Sequence, residues 1–488
     1  MSSERVLFVA SEVHPLVKTG GLADVAGALP VALKALRCDV RVMMPAYEAA
    51  LERLEQVTEI ASLDLGGGLP PVRLLESQLP GTSVTVWLVD SPPHFRRAGG
   101  PYGPDGNGDW PDNAERFAVF SRAAVAVARG AAGLSWQPTV VHCNDWQSGL
   151  VPALLSLEAQ RPATVFTIHN LSYQGLFPWE TFRALALPDE LWSMHGLEFF
   201  GQLSFIKGGL AYADMLSTVS PQYAREITRP EFGYGLEHLL EHRSDRLVGI
   251  LNGADYRQWN PARDPYLPRR YNAYSLPDKR INKTTLQTAM GLRADPAVPL
   301  LGMIGRLVEQ KGFDLLLDAL PELLAAEDLQ LVVLGSGSPH LEERLRQTAA
   351  AWPGRVAAHL GYSEELAHRI EGAADMFVMP SRFEPCGLNQ IYSLRYGTVP
   401  VVHRTGGLAN TVIDASPDAI KAGIATGFVF DEPTAPALAG AIHRALACYR
   451  QPRLWKSIQF RGMQQDFSWR RSAQQYIDLY RQAMRLAA

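Results

Sequence analysis

The stretch RVLFVASEVHPLVKTGGLADVAGALPVALKAL, residues 5–36, contains an apolar run, a glycine loop and a segment with helical spacing, in that order. This order is typical of the first strand, turn and helix of a βαβ unit. Lys18 lies in the turn, just before Gly20 and Gly21. Backbone N–H groups at such a helix start attract anions, and glycines let a ligand approach closely. The turn is therefore a candidate anion site, although a solvated lysine beside a tight turn would explain this motif taken alone.

The same alternation of apolar runs and helical segments continues along the chain. The predicted strands of the first half are RVLFVA, DVRVMMP, VTVWLVD, TVVHCND, TVFTIHN, MLSTVS and LVGILNG, and those of the second half are PLLGMIGR, LQLVVLGSG, RVAAHLGY, MFVMPSR and VPVVHR. Strands that alternate with helices form parallel sheets. The predicted fold class is α/β, with two doubly wound Rossmann-like domains facing each other across a cleft.

The length of 488 residues favours two domains, because single hydrophobic cores stop growing near ~250–300 residues. We predict a first domain over 1–255 and a second over 299–465. Between them, residues 256–298 are rich in proline, arginine and tyrosine and are predicted to be a linker. Residues 466–488 are predicted to form a helix that packs back on the first domain.

Composition excludes several classes of function. A formal net charge of −4 gives no basic field for nucleic acid. The four cysteines match neither a disulfide framework nor a metal site, and no run reaches the ~18 apolar residues of a membrane span. We therefore expect a soluble cytoplasmic protein with no nucleic-acid or membrane partner, and homo-oligomerisation is left open. Neither GxxxxGK[ST] nor HExxH occurs, so we expect no metal and no cofactor.

Polar residues follow several predicted strands, where open α/β sheets bind ligands. They are His142, Asn144, Asp145, His169, Asn170, Ser220, Asn252 and Asp255. In the second half, Arg306 and Lys311 follow a strand and could direct two positive charges at one diphosphate. Glu384 precedes a predicted helix whose first amides, at Gly387 and Leu388, could bind an anion. A sugar contact and a helix-dipole contact explain Glu384 equally well.

Seven ordered motifs together resemble one family. They are KTGGLADVAGALP, HCNDWQSGL, TIHNLSYQG, LNGAD, GRLVEQKG, PSRFEPCGLNQ and RTGGL, spread over residues 18–408. The chain resembles the glycogen synthases and starch synthases, which are retaining GT-B glycosyltransferases. The resemblance implies a hexosyltransferase that moves glucose from ADP-glucose to the nonreducing end of an α-1,4-glucan such as glycogen. A related GT-B enzyme that uses UDP-glucose or another acceptor is the alternative.

The resemblance also implies roles for individual residues. Arg306 and Lys311 would stabilise the leaving diphosphate, Glu384 would hold the donor glucose, His169 would contact that sugar near its reacting carbon, and Asp145 would lie on the donor or acceptor side. Lys18, Gly20 and Gly21 would bind the donor, Tyr362 would lie against adenine, and Tyr102 and Trp146 would be cleft aromatics that stack on sugar. The other expected substrate-binding residues are Asn170, Asn252, Cys386, Gly387, Leu388, Thr405, Gly406 and Gly407.

One position departs from the wider retaining GT-B pattern. Many such enzymes carry a second glutamate eight residues after the first, and this chain has Tyr392 there. A ribose contact by a second carboxylate is therefore not expected.

Overall fold

The computed structural model of the chain describes residues 4–66, 69–104 and 108–488. In these ranges, the strands are β1 (Arg5–Val9), β2 (Asp39–Pro45), β3 (Thr58–Leu63), β4 (Val72–Gln78), β5 (Thr85–Asp90), β6 (Val140–Asn144), β7 (Ala163–Ile168), β8 (Leu176–Phe177), β9 (Glu198–Phe199), β10 (Gln202–Ser204), β11 (Met215–Thr218), β12 (Leu247–Gly249), β13 (Leu300–Ile304), β14 (Gln330–Gly335), β15 (Val356–Leu360), β16 (Met376–Met379), β17 (Val399–His403) and β18 (Phe428–Phe430).

Helices connect most of these strands. The α-helices are α1 (Gly21–Ala35), α2 (Glu48–Leu51), α3 (Pro92–Phe95), α4 (Asn113–Ala128), α5 (Leu150–Leu155), α6 (Trp179–Ala184), α7 (Phe205–Tyr212), α8 (Pro221–Glu226), α9 (Pro230–Gly233), α10 (Glu237–His242), α11 (Lys279–Ala289), α12 (Phe313–Ala326), α13 (Pro339–Ala351), α14 (Glu364–Ala373), α15 (Asn389–Tyr396), α16 (Gly406–Thr411), α17 (Pro417–Ala422), α18 (Ala435–Tyr449), α19 (Pro452–Met463) and α20 (Trp469–Ala487). Short 3₁₀ segments span Trp146–Ser148, Asp189–Leu191, Ser244–Arg246, Leu276–Asp278 and Glu309–Lys311.

The chain divides into two compact units. The first comprises Met1–Gly253 together with Trp469–Ala488, and the second comprises Ala254–Ser468. The segment 256–298, which its prolines and arginines predict to be a linker, lies within the second unit. Tyr271 donates a hydrogen bond of 2.7 Å to the Tyr396 carbonyl, and the buried Lys279 donates one of 2.9 Å to the Glu371 carbonyl. These tertiary contacts, which local composition does not show, make the segment part of the unit.

The sheet of the first unit has the strand order β12-β11-β7-β6-β1-β2-β5-β4-β3. Neighbouring strands are parallel from β12 to β5, while β4 pairs antiparallel with both β5 and β3. A separate antiparallel sheet has the order β8-β10-β9. The parallel strands are almost wholly buried, as expected where helices cover both faces of a sheet.

The sheet of the second unit has the order β15-β14-β13-β16-β17-β18, with every pair parallel. Alternate residues of one strand point to opposite faces, so Leu331 and Val333 of β14 join one apolar cluster and Val332 and Leu334 join the other. The predicted α/β class with two doubly wound sheets is confirmed. None of the helices in the described part of the chain combines the length and apolar composition needed to cross a membrane.

Helix α20 packs in the first unit, against α1 and β7. Its buried face includes Trp469, Ala473, Tyr476, Ile477 and Tyr480, which recur at helical spacing. The Tyr480 hydroxyl lies 2.8 Å from Nδ1 of His142 in β6, so the helix is also joined to the sheet by a buried hydrogen bond.

Candidate active site

The loops after β1, β6 and β7 share one edge of the first sheet, because these strands are neighbours. The strand order reverses at β1, which pairs with β2 on one side and with β6 on the other. Ligands of doubly wound sheets bind outside the carboxyl ends of the strands at such a reversal. Lys18, Asp145 and His169 follow these three strands, so the fold brings the three loops that carry them to one edge.

Glu12 holds the turn that follows β1. Its Oε2 accepts backbone hydrogen bonds from Thr19 at 2.5 Å and Gly20 at 3.2 Å, just before α1 begins at Gly21. The carboxyl is buried, and burial raises its pKa above the usual range. Lys18 Nζ lies 2.8 Å from Asp24 Oδ1, an exposed ion pair that contributes little to stability. A Cβ added at Gly21 would meet nothing within 4 Å, so packing alone does not require glycine there.

Asp145 lies in an unusual backbone conformation directly after β6. Its φ is +54°, a region that few residues other than glycine adopt, and such strain is often found at functional sites. Its Oδ1 accepts hydrogen bonds from the backbone N–H groups of His169 at 2.7 Å and Asn170 at 3.4 Å. Burial raises the pKa of Asp145 to about 7, although these two hydrogen bonds oppose the rise. The carboxyl thus links the loops after β6 and β7.

The side chain of His169 is held in one tautomer by Asn144. The Asn144 amide donates to the Val9 carbonyl at 3.0 Å, so its Oδ1 is the atom that faces His169 Nε2, at 2.9 Å. Nε2 must therefore carry the proton, and Nδ1 keeps its lone pair. Burial lowers the pKa of His169 to about 3, so the ring is neutral at neutral pH.

The raised pKa of Asp145 predicts a pH-dependent effect on stability. The folded value of about 7 lies above the unfolded value of ~3.9, so the stabilisation is fully present below about pH 4 and is lost as the pH rises through 7. Asp145→Asn keeps the Oδ1 acceptor and removes the charge. We expect its free energy of unfolding to be close to the parent's at pH 4 and to exceed it at pH 8 by on the order of 4 kcal/mol, measured by urea denaturation.

The control for this prediction is Asp418→Asn, at an exposed position in the second unit. It should change the free energy of unfolding little at either pH. Equal effects of Asp145→Asn at pH 4 and pH 8 would contradict the assigned ionisation.

The two aromatic residues that the resemblance places in a cleft differ in their surroundings. Tyr102 is half-buried, with its hydroxyl 2.8 Å from Ser11 Oγ, and its contact with sugar stays a prediction. Trp146 is more deeply buried, at 9% exposed. Its ring packs 5.0–6.1 Å, between centroids, from three phenylalanine rings. Trp146 therefore packs in the core, and its contact with sugar stays a prediction.

Two predicted asparagines also lie at this edge of the sheet. Asn170 Oδ1 accepts hydrogen bonds from the backbone and hydroxyl of Ser172, at 3.1 and 2.8 Å, and so shapes the loop after β7. Asn252 is buried after β12, which β11 separates from β7. Of these two residues, only Asn170 belongs to the loop that carries His169.

In the second unit, the loops after β13, β16 and β17 lie next to one another, because these strands are adjacent in the sheet. They carry most of the residues predicted for this half. Lys311 Nζ lies 2.6 Å from Glu384 Oε2, and the same oxygen accepts a hydrogen bond of 3.0 Å from Ser381 Oγ. Glu384 is buried, whereas Lys311 is half-buried. Arg306 follows β13 and is exposed. The ion pair fixes the lysine while leaving its other donors able to meet an anion.

The turn after β17 packs directly on the loop that contains Glu384. The Gly407 N–H donates to the carbonyls of Glu384 and Pro385, at 3.1 and 3.2 Å. An added Cβ would lie 1.9 Å from the Glu384 carbonyl oxygen at Gly406 and 2.0 Å from that of Cys386 at Gly407. Both glycines are therefore required for the close approach of the two loops, and their contact with substrate stays a prediction.

The remaining predicted residues of this loop lie around the start of α15. Cys386 is buried, Gly387 has a φ of +70°, and Leu388 directly precedes the first helical residue, Asn389. Asn389 Nδ2 donates a hydrogen bond of 3.1 Å to the Ile304 carbonyl at the end of β13. Thr405 precedes α16 and is buried. These contacts join the ends of neighbouring strands into one surface.

Tyr362 and Tyr392 have different settings. Tyr362 is 75% exposed, and its hydroxyl donates to Glu364. Tyr392 stacks on Trp259 with centroids 4.0 Å apart and an interplanar angle of 3°, and His368 also stacks on Trp259, at 3.8 Å. The ring of Tyr392 is thus buried in a stack and not placed as a free polar group.

Sequence reasoning missed two residues that orient the predicted ones, Glu12 and Ser381, and it named Asn144 without its role in orienting His169. Each is a polar residue at or just beyond a strand end, and that position was the available signal. Among residues 4–66, 69–104 and 108–488, no group of three or more histidine, cysteine, aspartate or glutamate side chains could hold a metal ion.

Comparison with known proteins decides the family. The family described as the starch synthase catalytic domain matches residues 5–242, and the family described as glycosyl transferases group 1 matches residues 292–459. Glycogen synthase 1 of Methylococcus capsulatus is 56% identical over 481 residues, covering 98% of this chain and 97% of that relative. The chain belongs to the glycogen synthase and starch synthase family.

Two further relatives of this family agree. The glycogen synthase of Thioalkalivibrio sulfidiphilus is 57% identical over 480 residues, covering 98% of this chain and 99% of the relative. The catalytic domain of starch synthase IV from Arabidopsis thaliana, bound to ADP and acarbose, superposes with a TM-score of 0.89 at 32% identity, covering 99% of this chain and all of that one. The resemblance stated from the motifs is confirmed, and the protein is a glycosyltransferase of the GT-B fold.

Proposed function

We propose that this member of the family transfers glucose from ADP-glucose to the nonreducing end of an α-1,4-glucan, with retention of configuration. The observation that carries the proposal is the pairing of Lys311 with the buried Glu384 at 2.6 Å, at the carboxyl edge of the second sheet. A fixed cation at such an edge is suited to the diphosphate of a nucleotide sugar. The related starch synthase structure, which contains ADP and acarbose, supports a nucleotide and a glucan as ligands.

In the proposed reaction, the bond between the glucose C1 and the diphosphate oxygen breaks while the acceptor 4-hydroxyl oxygen bonds to C1 on the same face. The acceptor proton passes to the leaving phosphate. Lys311, Arg306 and the amides near Gly387 and Leu388 would stabilise the negative charge that develops on the diphosphate. No general acid is needed for a leaving group of this kind, which agrees with a neutral His169.

His169 would act through its fixed tautomer. With Nε2–H directed at Asn144, the unprotonated Nδ1 is the ring atom able to accept a hydrogen bond from a sugar hydroxyl. Asp145 would hold the backbone of this loop and would contact the donor or the acceptor, while Lys18, Gly20 and Gly21 would bind the donor. Tyr362 would lie against the adenine. We also propose a cytoplasmic location, because all four cysteines are free thiols, as expected in a reducing compartment.

The experiment that tests this function measures nucleoside diphosphate release from ADP-glucose and from UDP-glucose, with and without glycogen. We expect ADP release that depends on glycogen, and lengthening of the glucan by α-1,4-linked glucose. Faster release of UDP than of ADP would show that ADP-glucose is not the preferred donor. Release that does not depend on any glucan would show that the proposed acceptor is wrong. A trapped glucosyl adduct on Asp145 or Glu384 would exclude same-face attack.

A further inference from the structure

The first unit carries a group of exposed aromatic side chains close to the candidate active site. Tyr173, Phe200 and Tyr234 are 49%, 83% and 41% exposed. They come from three segments: the loop after β7, the turn between β9 and β10, and the residue that ends α9. We call these three residues the aromatic ledge. Large apolar groups that cluster on a surface commonly mark a binding site.

The three segments of the aromatic ledge are in contact. The side-chain amide of Gln174, next to Tyr173, donates a hydrogen bond of 3.1 Å to the Tyr234 carbonyl. A Cβ placed at Gly235, next to Tyr234, would lie 3.4 Å from Cε2 of Phe200. Contacts at both ends of Tyr234 therefore join the loop after β7 to the β9–β10 turn, so the segments that carry the three rings belong to one continuous surface.

The backbone of the ledge is strained. Phe200 and Tyr234 have φ angles of +50° and +51°, and neither is a glycine, asparagine or aspartate. Bulky residues rarely adopt this left-handed conformation, which costs on the order of 1–2 kcal/mol per residue. Folding gains little from placing an 83% exposed phenylalanine there. The two-residue hairpin turn and the end of α9 require positive φ at these positions, but they would accept glycine or asparagine more readily. What folding leaves unexplained is the choice of large aromatic side chains there, and a ligand for the rings would explain it.

The ledge is continuous with the candidate active site of the first unit. Tyr173 donates its backbone N–H to the Asn170 carbonyl at 3.3 Å, and Asn170 directly follows His169. A ligand that reaches His169 and extends beyond it would therefore meet the ledge. This continuity makes the substrate itself the natural occupant.

The chemistry of the ledge favours an uncharged polymer. Solvent-exposed aromatic rings can stack on the C–H faces of pyranose rings, which carry no charge. Two charged side chains shape the β9–β10 turn: Glu198, whose Oε1 accepts a hydrogen bond of 2.7 Å from the Gly201 N–H, and Lys207, whose Nζ donates to the Glu198 carbonyl. Lys207 is buried, so the more accessible charge beside Phe200 is the carboxylate, which disfavours a nucleotide or other anion. We propose that the aromatic ledge binds glucose units of the α-glucan acceptor, beyond the unit that reacts. This proposal rests on the proposed function.

The test removes single rings without straining the backbone. Phe200→Gly and Tyr234→Gly suit positive φ better than the parent residues, so both variants should fold, as thermal unfolding can verify. We expect each to raise the KM for glycogen about tenfold, a loss typical of one well-formed aromatic contact, while the KM for ADP-glucose stays that of the parent. Phe200→Trp, which keeps an aromatic ring at this position, should keep the parent KM for glycogen.

The matched control is Tyr274→Ala, which removes an equally exposed ring, 83% exposed, from the second unit. It should leave the KM for glycogen unchanged. The proposal that the ledge binds glucan would be wrong if both glycine variants kept the parent KM for glycogen, or if Tyr274→Ala raised that KM equally. If sedimentation showed that the glycine variants lose a dimer while glycogen binding persists, the ledge would be a self-association surface and the proposal would be wrong.

Direct binding separates this proposal from the proposed function. Calorimetric titration with maltoheptaose needs no turnover, so it tests the ledge even if no ADP release is found. Binding by the parent that weakens about tenfold in Phe200→Gly would support the ledge in either case. Equal binding by the two proteins would overturn the ledge while leaving glycogen-dependent ADP release intact.

Discussion

Replacing Lys311 with alanine is expected to lower kcat/KM for ADP-glucose by about 100- to 1000-fold. The structure fixes the position of this cation, since Glu384 holds its Nζ at 2.6 Å and Ser381 orients the carboxylate in turn. Preorganised charge of this kind acts where negative charge develops, on the leaving diphosphate. Single-turnover measurements of ADP release from parent and variant would give the effect on the chemical step.

The alanine variant also leaves the buried Glu384 carboxylate without its cation, which destabilises the fold by itself. Lys311→Ala combined with Glu384→Gln removes that unpaired charge, so it should recover the melting temperature but not the activity. Lys456→Ala, at an exposed position in the same unit, controls for the loss of a positive charge. Near-parental activity in Lys311→Ala would show that the lysine does not face the diphosphate.

The second large effect is expected from Gly406→Ala. The residue has a φ of +43°, and an added Cβ would lie 1.9 Å from the Glu384 carbonyl oxygen. Neither loop can keep its place, so Glu384 and its lysine must shift. We expect the free energy of unfolding to fall by about 2–4 kcal/mol and kcat to fall about 100-fold, because a displacement of 1 Å at a catalytic centre has effects of that size.

Gly440 offers a matched control in the same unit. It lies within α18, and a Cβ there would meet nothing within 4 Å. Gly440→Ala should therefore keep full activity and raise the free energy of unfolding by up to about 1 kcal/mol, since alanine favours helix more than glycine does. Chemical denaturation of the two variants provides the comparison. If both alanines had the same effect, the contact between the two loops would not be what positions Glu384.

The central strands could be predicted because their apolar runs are long and because each is followed by a helical segment. The antiparallel pair β3 and β4 was not predicted, and neither was β18, which has three residues. Strands β8 and β9 have two residues each, too few to show any periodicity. The turn that carries Phe200 belongs to that short sheet, so the aromatic ledge was missing from the sequence-based site as well.

Within the candidate site, sequence predicted the charged and glycine-rich loops but not what holds them. The partners Lys311 and Glu384 are 73 residues apart, and no local pattern reports a hydrogen bond across such a distance. The backbone bonds that Glu12 accepts from Thr19 and Gly20 likewise depend on a buried turn. Trp146 shows a different limit of sequence-based prediction. It lies in a polar motif, yet its ring is buried in the core.

The return of α20 to the first unit has a consequence for biosynthesis. The first 253 residues emerge from the ribosome long before Trp469–Ala488 are synthesised, yet both segments belong to one unit. Until the last helix emerges, Tyr480 cannot reach His142, and the apolar surfaces of α1 and β7 that α20 covers stay open. The second unit can fold earlier, as an insertion between the two parts of its neighbour. A nascent or truncated chain that lacks α20 is therefore expected to need chaperone protection, even with every loop of the candidate active site already synthesised.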